Sequence, residues 1–328
     1  MAQPTTKARL RRVAGRLKRA VTTFPVRAMR RRRRSLRDRL LRTGPSDWQS
    51  MRDDLAQRYL RGEGIEIGAF NLPQRVPPDV RVRYVDHASG DELRRIYAYE
   101  LTQHGAPLVE PDVVDDGERL TKFADDSLDF VIANHMLEHA EDPIETLNHF
   151  LRVLRPSGML FLTLPDARET FDGRRARTTI EHLLRDHREG PQVSRHEHYE
   201  QWARIIECVP EEQIPERLAV FKAEGTRNHF HVWELETFLA FLFALHLPAD
   251  LVSAHQVDHE FAVVLRKNPG KRTWRAWRDL GAQAVPDEDL EPGGLAAREK
   301  ARVDALARGG AVDGLGAAQA NASQDATR

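Results

Sequence analysis

Cysteine is almost absent from this chain. Cys208 stands alone among 328 residues, which excludes an internal disulfide, a Cys-rich zinc site and a CxxC redox pair. A chain so poor in cysteine suits a reducing cytosol, and a cytoplasmic location is expected. Long apolar runs are missing too. None approaches the length of a membrane span, and the first residues lack the uninterrupted apolar core of a secretory signal. There is no GxGxxG, so the pyrophosphate cradle of a nicotinamide enzyme has little support. Net charge is also absent, because 50 Lys and Arg balance 50 Asp and Glu. The molecule as a whole is therefore no general polyanion binder.

The charge is unevenly spread. Residues 7–42 hold sixteen Lys or Arg and one acid, Asp38. Leu10, Val13, Leu17 and Val21 recur at helical spacing, so residues 7–24 read as a basic amphipathic helix ended by Pro25. Residues 1–45 are expected to form a basic tail, solvated or in peripheral contact with anionic lipid. Nucleic acid is a weaker reading, since the segment has almost no aromatic ring for base stacking. Residues 271–328 read as a flexible Ala/Gly-rich tail, broken at Gly309, Gly310, Gly314 and Gly316, with one helix expected over 295–308.

Between the tails, residues 46–270 form the expected folded domain. Strand signals fall at 64–68, 82–86, 108–114, 128–133 and 159–164. A helix capped by Ser89 is expected through 104, and another over 142–154 with Pro143 at its first position. Residues 167–230 interrupt the alternation with a polar, His-rich, helical insertion. A helix at 233–246 and two strands at 250–257 and 259–266 follow. The last two meet so closely that the junction suits an antiparallel hairpin, since a parallel pair needs a longer crossover. Strands separated by helices imply a mostly parallel sheet with helices on both faces.

Such a sheet binds ligands at the carboxyl ends of its strands. Polar residues stand at each of these ends: Gly68, Asp86, Asp116, Gly117, Asn134, His135 and Asp166. Asp86 follows Glu66 by 20 residues, and an acid at the end of a second strand can accept both ribose hydroxyls of a nucleoside cofactor.

Several segments together resemble the class I S-adenosylmethionine-dependent methyltransferases, in particular the group called type 11. They are Glu66-Ile67-Gly68, Asp86, the run from Asp116 to Asp129, His135-x-Leu137-Glu138-His139, Asp142-Pro143, and Leu151-Arg152-Val153-Leu154-Arg155-Pro156-x-Gly158. The resemblance covers residues 60–166 and, in outline, 231–266. It implies a Rossmann-like α/β fold with a seven-stranded sheet, a reversed last strand and a helical insertion after strand five. It also implies S-adenosyl-L-methionine as cofactor, held by Glu66, Gly68, Asp86, Asp116, Gly117 and Asn134. The family usually carries further glycines after the first, where this chain has Phe70 and Leu72, so its first loop is expected to be stiffer and bulkier.

By the same resemblance His135 lies beside the reacting centre, as a base for a hydroxyl acceptor. His198 and His231 are its rivals. The expected acceptor is a sugar, glycolipid or other small metabolite. The insertion adds two His-x-His pairs, His196/His198 and His229/His231. In an extended strand each pair would face one side and could hold a metal; in a helix the two would diverge. A substrate-binding lid is the favoured reading, and no metal is expected. Arg174 to Arg177, Arg185, Arg188 and Arg195 offer either a site for an acidic group or a solvated face. A non-catalytic cofactor-binding module, an RNA-directed methyltransferase and a nicotinamide oxidoreductase remain alternatives.

Overall fold

The structure, a computed structural model, describes residues 47–104 and 106–270. The basic segment with its expected helix, and the Ala/Gly-rich tail with its own, lie outside the described residues.

Seven strands form one sheet: β1 (Glu63–Ile67), β2 (Arg81–Asp86), β3 (Val113–Val114), β4 (Leu128–Asn134), β5 (Leu154–Pro165), β6 (Ala249–Val257) and β7 (Glu260–Lys267). Their order is β3-β2-β1-β4-β5-β7-β6. Neighbours from β3 to β5 pair parallel, and β7 runs antiparallel to both β5 and β6. The order reverses between β1 and β4, so the carboxyl ends of those two strands border the crevice where such sheets take ligands.

The helices are α1 (Trp48–Tyr59), α2 (Gly90–Ile96), α3 (Ala98–His104), α4 (Pro143–Val153), α5 (Ile180–Glu189), α6 (Gln192–Gln201), α7 (Ile214–Glu224) and α8 (Leu235–Ala244). Alternation along the strands sends side chains to two cores. On one face Ile65, Val131, Ala133, Leu160, Leu162, Val263 and Leu265 pack with α4 and α8. On the other, Phe130, Ile132, Phe161, Ala262 and Val264 pack with Met51, Leu55 and Ala56 of α1. Pro143 opens α4 after Asp142, whose side chain accepts from Glu145 N. Its buried Ile144, Leu147 and Leu151 each contribute about 1.5–3 kcal/mol through removal from water.

Three expectations need correction. The helix expected from Ser89 through 104 is two helices, because the chain turns at Tyr97, whose ring packs edge-on against Phe70 and His87. The third strand shrinks to Val113–Val114, paired only with the end of β2. Pro156-Ser157-Gly158 does not separate helix from strand. β5 begins at Leu154, and the three residues form an irregularity within it, with Ser157 at φ +67°. Helix α1 carries no expectation at all. Asp47 caps it by accepting from Ser50 N, and it seals the second face of the sheet.

Candidate active site

At the end of β1, Glu66 is 1% exposed and faces Asn134 at the end of β4. Its carboxylate accepts from Gln74 N at 2.9 Å and from Asn134 Nδ2 at 3.3 Å. Thr163 Oγ1 donates to Asn134 Oδ1 at 3.0 Å, which fixes that amide from the neighbouring strand. Burial outweighs these bonds and pushes the Glu66 carboxyl up to about 7.

The loop after β1 turns at Gly68, φ +66°, and Gly68 N donates to Val85 O at 2.9 Å. A Cβ at Gly68 would meet nothing within 4 Å, so the residue is required by its backbone conformation and not by crowding. Phe70 is also left-handed, φ +50°, which is costly for a residue with a bulky side chain. Its ring turns onto Tyr97 at 5.3 Å. Leu72 is 49% exposed. The bulk of the glycine-poor loop is directed to Tyr97 and to solvent.

Asp86 ends β2 and pairs with His87 Nδ1 at 2.7 Å. Its carboxylate raises the pKa of that imidazole through the hydrogen bond. Of the two acids after β3, Asp115 is buried and accepts from Thr121 Oγ1 and Lys122 N, so it holds the turn together. Asp116 is half exposed. Gly117 is crowded, for a Cβ there would meet Ile67 Cγ2 at 2.7 Å.

His135, φ +50°, follows β4. It is bound by two carboxylates, Glu260 at 2.8 Å and Glu138 at 3.4 Å. Burial opposes its charge, but the bonds to Glu138 and Glu260 prevail and raise its pKa to about 9. Glu138 is held at about 2 despite burial, chiefly by that histidine. Glu260, the first residue of β7, also takes Arg52 of α1 in a two-pronged pair, with Nε at 2.7 Å. Arg52 and Glu260 carry no expectation from the sequence. The only signal for Glu260 is an acid opening an otherwise apolar strand, and Arg52 lies on a helix that leaves no clear mark in the sequence.

Residues 89–162 match the family model described as a methyltransferase domain. That stretch, from the start of α2 into β5, is similar to a methyltransferase domain. No curated protein sequence matches the chain. Among solved structures, a SAM-dependent methyltransferase from Aquifex aeolicus is 12% identical over 63% of this chain and 81% of its own, with a TM-score of 0.34. A protein from Pyrococcus horikoshii is 16% identical over 66% and 87%, at 0.37. A possible histamine N-methyltransferase from Thermotoga maritima is 14% identical over 63% and 82%, at 0.35.

The insertion builds two further clusters. In the first, Glu138, His139 and His229 bring their ligating atoms within 4.8 Å of one another. His139 Nδ1 faces the Arg227 and Asn228 carbonyls, both at 3.1 Å. His229 Nδ1 faces Asp172 at 2.7 Å. Both rings thus point Nε2 inward. Burial and the charge of His229 depress His139 to about 4. The set could hold a divalent cation. Phe171, 52% exposed, and Trp202 form an aromatic wall against His229, with ring centroids 4.9 and 5.9 Å away.

In the second cluster His198 and His231 meet His182. The His-x-His pairs do not act as pairs. His196 is exposed on α6 while His198 points inward. His229 and His231 join different clusters, because the segment between α7 and α8 is not a regular strand: Phe230 N and His231 N both donate to Glu138 O. Three of the arginines already have carboxylate partners. Arg175 is buried against Asp172, Arg177 pairs with Glu234 and Arg195 with Glu141.

Among the described residues no helix is long and apolar enough to cross a membrane.

Proposed function

We propose that this methyltransferase acts on a hydroxyl of a sugar, glycolipid or other small metabolite. The observation that carries the reading is the Phe171–Trp202–His229 wall, which adjoins His139 and the carboxyl end of β4. Flat rings with exposed faces suit the apolar face of a sugar, and the histidines beside them suit its hydroxyls. Arg175, Arg177 and Arg195, already paired with carboxylates, also favour an acceptor without strong negative charge.

Asp86 would accept from the ribose hydroxyls of the cofactor. The open, left-handed Gly68 lets backbone approach the ligand. Glu66, with Asn134, would face its cationic end, where a nearby positive charge would draw the carboxyl back to its ionised form. Asp116 and the Gly117 backbone would border the base. These residues fit the group, since Gly68 opens onto free space and Asp86 is engaged only by exposed His87.

When bound, S-adenosylmethionine supplies an electrophilic methyl on a sulfonium. The acceptor oxygen forms the new C–O bond as the S–C bond breaks, and the hydroxyl proton must leave. His135 is already protonated at neutral pH and serves as a positioning cation. His139 is neutral, with its Nε2 lone pair directed inward, and is the better base. Alignment of the two reactants contributes the larger share of the rate.

Titration of S-adenosylmethionine and S-adenosylhomocysteine into the wild type and Asp86→Ala tests the cofactor site. Binding abolished in the variant supports it, and unchanged binding refutes it. A screen of glycan acceptors by product mass then tests the acceptor class. With His139 as base, activity stays flat from about pH 6 to 9, and His139→Gln lowers kcat by about 10²–10⁴-fold. A rate that climbs towards pH 9 would return the role to His135.

A further inference from the structure

His231 is fully buried, and neither of its ring nitrogens meets a partner in hydrogen-bonding geometry. The backbone carbonyl of Glu141 lies near the ring but off the line of a hydrogen bond. An imidazole in that state forfeits the bonds that water would give it, at a cost of about 1–3 kcal/mol for each unsatisfied group. Its neighbours explain the position. His182 and His198 turn their own nitrogens towards it, and the three ligating atoms lie within 4.8 Å of one another. His182 Nε2 and His198 Nε2 are 3.2 Å apart. Asp186 Oδ2 lies 3.2 Å from the first and 3.9 Å from the second. Four atoms bound to zinc by bonds of about 2.0–2.1 Å at tetrahedral angles sit about 3.3 Å from one another. The cluster is already near that spacing.

We propose that His182, His198, His231 and Asp186 bind one zinc-class divalent metal ion in a closed tetrahedral site. Three imidazoles and one carboxylate are a borderline donor set, suited to zinc over calcium or magnesium. Asp186 is also held by Ser194 Oγ at 2.5 Å, the kind of outer contact that orients a ligand. A hydrogen-bond network without metal would satisfy His182, Ser194 and Oδ2 of Asp186, but it leaves His231 without a bond. Among the described residues, Arg185 is the cation in contact, with Nη2 at 3.4 Å from His182 Nδ1. Its side chain is 42% exposed and can swing into water.

The placement gives the ion a structural role. His182 and Asp186 share a face of α5, one turn apart, and His198 comes from α6. His231 belongs to the segment whose backbone is bonded to Glu138 O. The metal would therefore clamp the insertion onto the loop that carries Glu138 and His139.

Cobalt(II) titration of the metal-stripped full chain tests this. The expected result is one equivalent bound, with the intense visible absorption of tetrahedral cobalt. His182→Gln and Asp186→Asn should abolish that absorption, while His139→Gln and His229→Gln retain it. Cobalt(II) should be displaced by one equivalent of zinc. Circular dichroism and S-adenosylmethionine binding establish that each variant is folded. Absence of tetrahedral absorption in the folded wild type overturns the proposal. So does absorption that survives in both His182→Gln and Asp186→Asn, or that disappears only with the His139 and His229 changes.

Discussion

Glu66 and His135 stand at the ends of neighbouring strands and both have raised pKa values, but the proton leaves one neutral and the other charged. Glu66 has few bonds against its desolvation, so its pKa rises from 4.5 to about 7. Folding then favours its proton. Its contribution is most favourable below pH 4.5 and is lost as pH rises through about 7. Glu66→Gln should therefore raise Tm at about pH 8 relative to the wild type while weakening S-adenosylmethionine binding. Differential scanning fluorimetry with a cofactor titration reads both. His135 is raised in the same direction, but by its partners and not by burial. Its stabilisation is complete below its ordinary 6.5 and is lost as pH climbs through about 9. That of Glu138 is complete above 4.5 and is lost as pH falls through about 2. The His135–Glu138 pair is strongest at mildly acidic to neutral pH. Arg52 and Glu260 are almost wholly buried beside it. Removing one partner of such a pair costs about 3–5 kcal/mol. Arg52→Met should show that loss in urea denaturation at neutral pH, and the double variant Arg52→Met/Glu260→Gln should recover part of it.

Helix α1 shows where local pattern stops being informative. The apolar stripe of α4 is wide and follows a clear cap, so periodicity alone reveals it. The buried stripe of α1 is only Met51, Leu55 and Ala56, with Arg52 buried among them. A buried arginine reads as a surface residue until its carboxylate, 208 residues away, is known. The β strands are legible because Ile65, Val131 and Leu160 sit in short apolar runs bounded by glycine, aspartate or proline. The glycine-poor loop is legible as a departure from the family. The direction taken by the Phe70 ring is not, because Tyr97 sets it from another element. Leu55→Ala tests the weight of α1. With Leu55 at 2% exposure, the loss should be about 2–5 kcal/mol, read from chemical denaturation.

Across the whole molecule the insertion is a semi-independent unit. Tyr199, Ala203, Ile214, Leu218, Phe221 and Phe230 make a small core of their own, separate from both faces of the sheet. Phe221→Ala should release that unit first. Hydrogen exchange is expected to quicken over residues 192–224 while β4 and β5 stay protected. Loss of protection throughout would show that insertion and sheet unfold as one. The scattered histidines of the sequence gain meaning only at this scale, since α5, α6 and the segment before α8 must all be in place before their rings meet.

The reversed direction of β7 has one more consequence. Every parallel strand brings its carboxyl end to the site, whereas β7 brings its amino end, and so Glu260 arrives there as the strand's first residue. During synthesis on the ribosome, strands β1 to β5 emerge long before residue 260. Until then Arg52 and His135 are two cations without their shared counter-charge, and the outer edge of β5 lacks its partner. The nascent chain is thus incompetent, and exposed to wrong pairing, until β7 has left the exit tunnel. Truncations that stop before residue 260 should emerge chaperone-bound, and those that include residue 267 should not.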